Sequence, residues 1–295
     1  MSEEKRVNVP KVASTRRPKQ KPKLGQHFLV SDNAATRMAD ALGDVSQSTV
    51  LEIGPGRGVI TSLLAKRARR VIAVEIDRVL AAQLRLKFGM THNVEVIEAD
   101  ILSIDFDSLF GPKPGLGRPG IELKPNPVRV VGNLPYFITS DILLRLFDFA
   151  KYFDIIVIMV QREVAERVAA PPGGSDYGLL SATAQLYAKV EKLFTLPPEA
   201  FEPAPKVHST VLRLNVAPQI EKLGVAGDGF IGFLKLSFAQ KRKTLWNNLK
   251  SRYGQAELRR AMTQARINPS ARAETLSLKQ SATLFRALRS SPEGS

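Results

Sequence analysis

The chain has 295 residues, 44% of them hydrophobic, and no cysteine, which is material for one large or two smaller packed domains and excludes disulfides and thiolate metal sites. A formal net charge of +15 calls for an anionic partner, either nucleic acid or an acidic membrane surface. No apolar run approaches the roughly 20 residues that span a bilayer, and the charged N-terminus lacks the apolar core of a secretory signal; the expectation is a cytoplasmic protein that binds no membrane and no metal.

Residues 1–23 set Lys5, Arg6, Lys11, Arg16, Arg17, Lys19, Lys21 and Lys23 against Glu3 and Glu4, with no apolar periodicity, and predict a disordered basic arm. From Leu24 apolar runs alternate with helical patterns: strands over 50–53, 71–74 and 94–97, helices over 60–69 and 79–88. Residues 111–127 are crowded with Gly and Pro and predict a surface loop. A fourth strand over 128–131, a helix over 142–149, a fifth strand over 155–160 and a helix over 163–169 follow, then a turn at 171–174. Two later strands are expected over 182–190 and 209–214. This order predicts an α/β domain over 24–216, a parallel sheet with helices on both faces. A linker over 217–229 leads to a small all-α domain over 230–295, with basic amphipathic helices at 230–239, 244–253, 257–265 and 277–288.

Chemistry gathers at the strand ends. Glu52-Ile-Gly54-Pro-Gly56-Arg-Gly58 lies between a predicted strand and helix, where glycines admit a tight turn and close approach of a ligand. The next strand ends in Glu75, placed to accept hydrogen bonds from ribose hydroxyls, and Asp77 suits the cap of the following helix. Asp100 ends the third strand, where a carboxylate can accept from the amino group of an adenine. Three adjacent strand ends thus converge on one nucleoside site at the carboxyl edge of the sheet. The turn lacks the final glycine of the dinucleotide fingerprint, which favours S-adenosylmethionine over a nicotinamide cofactor.

The fourth strand runs into Asn133-Leu134-Pro135-Tyr136. An exocyclic amine of adenine is a poor nucleophile because its lone pair is delocalised into the ring. Acceptors around its hydrogens, here the Asn133 side-chain carbonyl and the Leu134 backbone carbonyl, favour a tetrahedral nitrogen. Pro135 fixes the backbone and offers no competing N–H. Tyr136 gives a base a face to stack on. Single-stranded or looped RNA is the natural substrate, because the base must leave its stack.

On these motifs the chain resembles the small-subunit ribosomal RNA adenine dimethyltransferases. The resemblance runs from about Lys23 to the C-terminal helices. It rests on Gly25 to Leu29, Glu52 to Gly58, Val74 to Asp77, Asp100, Asn133 to Tyr136, Gln161 to Val164, Phe201 to Val207 and Lys243 to Leu249. It implies a Rossmann-like S-adenosylmethionine-dependent methyltransferase sheet. It also implies transfer of two methyl groups to each of two adjacent adenines near the 3′ end of the small-subunit rRNA. The implied substrate particle is an assembling small subunit, and the chain is expected to act as a monomer. By position, His27, Leu29, Gly54, Gly56, Glu75, Asp100 and Asn133 would contact the methyl donor. Phe201 would flank the target adenine opposite Tyr136, and Lys241, Arg242 and Lys243 would contact RNA. His27 stands where the family usually has Asn, and the 111–127 segment and basic arm are long for it. Alternatives on the same residues are a large-subunit rRNA adenine methyltransferase of the macrolide-resistance type, a non-catalytic RNA-binding assembly factor and a dinucleotide oxidoreductase.

Overall fold

Residues 26–111 and 127–289 are described by a computed structural model. The basic arm and nearly all of the Gly/Pro-rich loop lie outside the described residues. The chain enters through β1 (Phe28–Leu29) and α1 (Asp32–Ala41). It then alternates through β2 (Thr49–Ile53), α2 (Val59–Leu64), β3 (Arg70–Glu75), α3 (Arg78–Phe88), β4 (Val94–Glu98) and α4 (Phe106–Phe110). After these come β5 (Val128–Asn133), α5 (Thr139–Asp148), β6 (Phe153–Gln161), α6 (Arg162–Ala169), α7 (Leu179–Tyr187), β7 (Ala188–Leu196), β8 (Phe201–Glu202) and β9 (Ser209–Val216). Five helices close the described chain: α8 (Ile220–Leu223), α9 (Gly227–Ser237), α10 (Leu245–Leu249), α11 (Gln255–Gln264) and α12 (Leu278–Arg289).

Seven strands form one sheet in the order β4-β3-β2-β5-β6-β9-β7. The first five run parallel, and β9 is antiparallel to both β6 and β7. The expected strands over 50–53, 71–74, 94–97, 128–131, 155–160 and 209–214 are all present. Their side chains alternate between two apolar layers, as the period of two in a pleated strand requires. Leu51, Ile53, Val130, Ile156, Ile158 and Leu212 enter the layer shared with α5 and α7. Val50, Val131, Val157, Met159 and Val211 enter the layer shared with α1 and α2. With helices on both faces, the strands read as near-continuous apolar runs, which is why the sequence exposes them.

One expected strand is wrong. Residues 182–187 belong to helix α7, and the strand starts only at Ala188. Leu180 to Ala184, Leu186 and Tyr187 are all buried, so this helix has no polar stripe and no amphipathic period to read. Its start is fixed locally: the Gly178 amide donates to Ser181 Oγ at 3.0 Å, and that hydroxyl donates to the Arg167 carbonyl. β7 is an edge strand, and its exposed Lys189 and Lys192 with Glu191 keep that edge charged.

The four expected C-terminal helices are present with shifted ends. Within residues 217–229, α8 and the first turn of α9 are helical rather than extended linker. Phe230 and Phe233 of α9 pack on Phe285 of α12 with ring centroids 5.4 and 5.5 Å apart. Both α9 and α12 also rest on α7, so the apolar layer continues from the sheet into these helices. No helix among the described residues is long and apolar enough to cross a membrane.

Candidate active site

A cavity of about 260 Å³ opens at the carboxyl ends of β2, β3, β4 and β5, where the sequence places its strand-end motifs. Gly54, Gly56, Glu75, Asp100, the whole Asn133–Tyr136 turn, His27 and Leu29 line it. Its walls are mostly apolar, with few polar groups pointing inward.

The glycine turn is tight because its backbone is left-handed at Gly54, Gly56 and Gly58, with φ of +65°, +56° and +73°. A Cβ at Gly58 would stand 2.8 Å from Leu84 Cδ2 and 2.9 Å from Phe88 Cε2, so α3 packs where a side chain would go. Gly58→Ala is therefore expected to cost at least the ~1–2 kcal/mol of a left-handed non-glycine residue. A thermal melt checks this: the variant should melt several degrees below the parent, and an unchanged Tm would mean that α3 yields without cost.

Two carboxylates sit under and beside this turn. Glu75, 2% exposed, accepts from the Gly56 amide at 3.1 Å and from the Asp77 amide at 2.9 Å. It holds the turn as well as facing the cavity, and burial raises its pKa. Asp77 caps α3, accepting from the Val79 and Leu80 amides at 2.8 and 3.1 Å. Glu52 is the other carboxylate, and its place in the glycine motif suggests no role for it. It is 1% exposed, its Oε2 has no hydrogen-bond partner, and the Thr61 hydroxyl beside it has none either. Burial pushes its pKa up to about 7, and nearby Glu75 raises it further. Asp100 accepts from the Leu102 amide at 2.9 Å through one oxygen and presents its carboxylate at the β4 end of the cavity.

The Asn133 turn is held from both sides. The Leu134 amide donates to the Met159 carbonyl at 3.0 Å, and the Leu134 side chain is buried. Asn133 Nδ2 donates to the His27 carbonyl at 2.8 Å, which leaves Oδ1 as an acceptor with no partner among the described residues. The Leu134 carbonyl likewise accepts no hydrogen bond among the described residues. Two acceptors are thus fixed beside the glycine turn. The Tyr136 hydroxyl shares a hydrogen bond with Ser209 Oγ at 3.0 Å, and burial raises its pKa.

A two-stranded ribbon closes the site. β1 pairs antiparallel with β8, Phe28 opposite Glu202 and Leu29 opposite Phe201. Arg57 of the glycine turn bridges to Glu202 at 2.6 Å and lies over the Phe28 ring at 4.8 Å. The His27 Nδ1 is 2.6 Å from the Pro203 carbonyl, so Nδ1 carries the proton.

This ribbon also carries Phe201, expected to flank the target adenine opposite Tyr136. Its side chain is 4% exposed, packs in the α1–α2 layer with Leu29 and Val211, and does not line the cavity. Backbone pairing with Leu29 turns it inward. The ring beside Tyr136 is that of His27, with centroids 5.6 Å apart and planes 23° from parallel. Lys241, Arg242 and Lys243 lie in the exposed turn between α9 and α10, away from the cavity lining; Lys241 Nζ donates to the Ser175 carbonyl at 2.6 Å.

A doubly covered sheet with this order, a glycine turn after β2 and acids ending β3 and β4 define a Rossmann-like protein of the nucleoside-binding methyltransferase class. Residues 17–290 match the family model described as ribosomal RNA adenine dimethylase. The chain belongs to that family. It is 56% identical to the ribosomal RNA small subunit methyltransferase A of Koribacter versatilis, over 95% of this chain and 99% of the relative. It is 52% identical to the protein of the same name from Acidobacterium capsulatum, over 92% of each. Among solved structures, a dimethyladenosine transferase from Plasmodium falciparum superposes with a TM-score of 0.69 at 25% identity, covering 88% of this chain and 96% of that one. The 23S rRNA methyltransferase ErmE superposes with a TM-score of 0.63 at 27% identity, covering 89% and 99%.

Proposed function

We propose that this chain uses S-adenosylmethionine to dimethylate the exocyclic amines of two adjacent adenines near the 3′ end of small-subunit rRNA. It acts as a cytoplasmic monomer on an assembling small subunit. The observation that carries the reading is the pair of unpartnered acceptors, Asn133 Oδ1 and the Leu134 carbonyl, fixed beside a glycine turn at a nucleoside-sized cavity. The family and its small-subunit relatives supply the substrate class. The large-subunit alternative keeps only the more distant likeness to ErmE.

The residues suit this donor. The orphaned Glu52 oxygen and the Glu75 and Asp100 carboxylates favour a ligand that carries positive charge and donor groups. Gly54 and Gly56 would let the donor approach the backbone, Glu75 would accept from its ribose hydroxyls and Asp100 from its purine amine. When bound, the donor supplies an electrophilic methyl group on a sulfonium. Asn133 and Leu134 would accept the two amine hydrogens of the target adenine and turn its lone pair out of the ring plane. His27 keeps Asn133 oriented by accepting from Nδ2. No side chain here needs to act as a strong base; orientation and preorganised dipoles do the work.

Incubating the chain with radiolabelled S-adenosylmethionine and unmethylated small subunits tests the reading. Label in two adjacent adenines is expected. Label only in protein-free large-subunit rRNA would transfer the protein to the alternative. Reversing the charge of Lys241, Arg242 and Lys243 together should weaken RNA binding and flatten its salt dependence, by about 0.7–0.9 log units of slope for each phosphate no longer neutralised. An unaltered slope in a salt titration would remove this turn from the RNA interface.

A further inference from the structure

Phe137 follows Tyr136 directly, is 69% exposed and is one of the residues that line the same cavity. It is the only aromatic side chain among the large exposed hydrophobic residues described. No aromatic ring and no cation among the described residues packs against it, unlike His27, Tyr136 and Phe28 around it. The Tyr136 ring is already committed. Its hydroxyl is held by Ser209, and His27 lies against it. Phe137 has no such tether, so the fold gains little from the ring where it stands. Neighbouring side chains in a turn project in different directions, so one base does not use both rings. A π-face held at the mouth of a base-binding cavity, in a chain of net charge +15, suits an unstacked nucleobase.

We infer that Phe137 is the stacking platform for the nucleotide next to the target adenine, holding that neighbour while Tyr136 receives the base to be modified. This rests on the proposed function and adds a second base position to it. With adjacent adenines as substrate, the neighbour is itself the next target. The platform keeps it unstacked and close by while the first is methylated.

A binding cycle tests it. Affinity is measured for the full chain and Phe137→Ala on an rRNA hairpin carrying the two adenines, and on the same hairpin with the neighbouring nucleotide abasic. Phe137→Ala should weaken binding of the intact hairpin roughly 5- to 100-fold, and the abasic hairpin hardly at all. Phe137→Tyr should restore affinity, and Tm should be unchanged in both variants. Equal weakening of both hairpins, or of neither, overturns the inference. So does weakening seen only on ribosomal particles, which would place the ring against a ribosomal protein. Absence of any methyl transfer by the unmodified chain to small subunits would defeat the proposed function instead. Transfer with an uncoupled cycle defeats only the role of Phe137.

Discussion

Asn133→Ala is expected to slow methyl transfer by on the order of 10²–10³, the loss that follows removal of one preorganised polar group from a reacting centre. RNA affinity should stay within about twofold, because phosphate contacts elsewhere dominate it. The amine of adenine reacts only when its lone pair leaves conjugation with the ring. An acceptor on each hydrogen favours that geometry, and the structure holds Asn133 Oδ1 ready by anchoring Nδ2 on the His27 carbonyl. Alanine removes both the acceptor and the anchor, leaving the Leu134 carbonyl alone. Single-turnover transfer at saturating donor, beside a direct RNA-binding measurement, separates the two effects. Near-normal turnover would mean that the amine is oriented by other groups.

The second large effect concerns Glu52. In the unfolded chain its carboxyl titrates near the ordinary 4.5, and in the fold burial pushes it to about 7. Below the lower value both states hold the proton and nothing differs. Between the two, the unfolded chain releases a proton that the folded chain keeps, so stability falls as pH rises. Above the folded value the full penalty stands, roughly 3 kcal/mol for a shift of this size. Glu52→Gln removes this titration but leaves the similarly directed shift of Glu75 in place. The variant's Tm relative to the parent should therefore climb from about pH 5 to about pH 8. A Tm difference that stays constant across this range would mean that Glu52 is ionised throughout.

Much of the sheet and of the site was readable from the chain because local physics fixes them. Parallel strands covered on both faces read as near-continuous apolar runs: 71–74 is wholly apolar, and 50–53 and 128–131 are each broken by one charged residue, Glu52 and Arg129. The glycine turn needs left-handed backbone, and Gly54, Gly56 and Gly58 provide it. Asp77 was readable as a cap from its place before α3. What was not readable depends on contacts between distant segments. Pairing of β1 with β8 turns Phe201 into the core and brings His27 onto Tyr136, and no spacing along the chain encodes that pairing. Helix α7 was hidden because burial on all sides erases its period. Glu52 read as part of a glycine motif, and only the fold shows that its carboxyl is buried beneath the turn with Oε2 unpartnered. The exposure of Phe137 at the cavity mouth is likewise a tertiary fact.

The most direct measurement of the proposed activity is mass spectrometry of small-subunit rRNA from cells with and without this protein. Two adjacent adenines near the 3′ end should each carry two methyl groups in the first case and none in the second. Identical methylation in both, or a loss confined to large-subunit rRNA, would contradict the proposed activity.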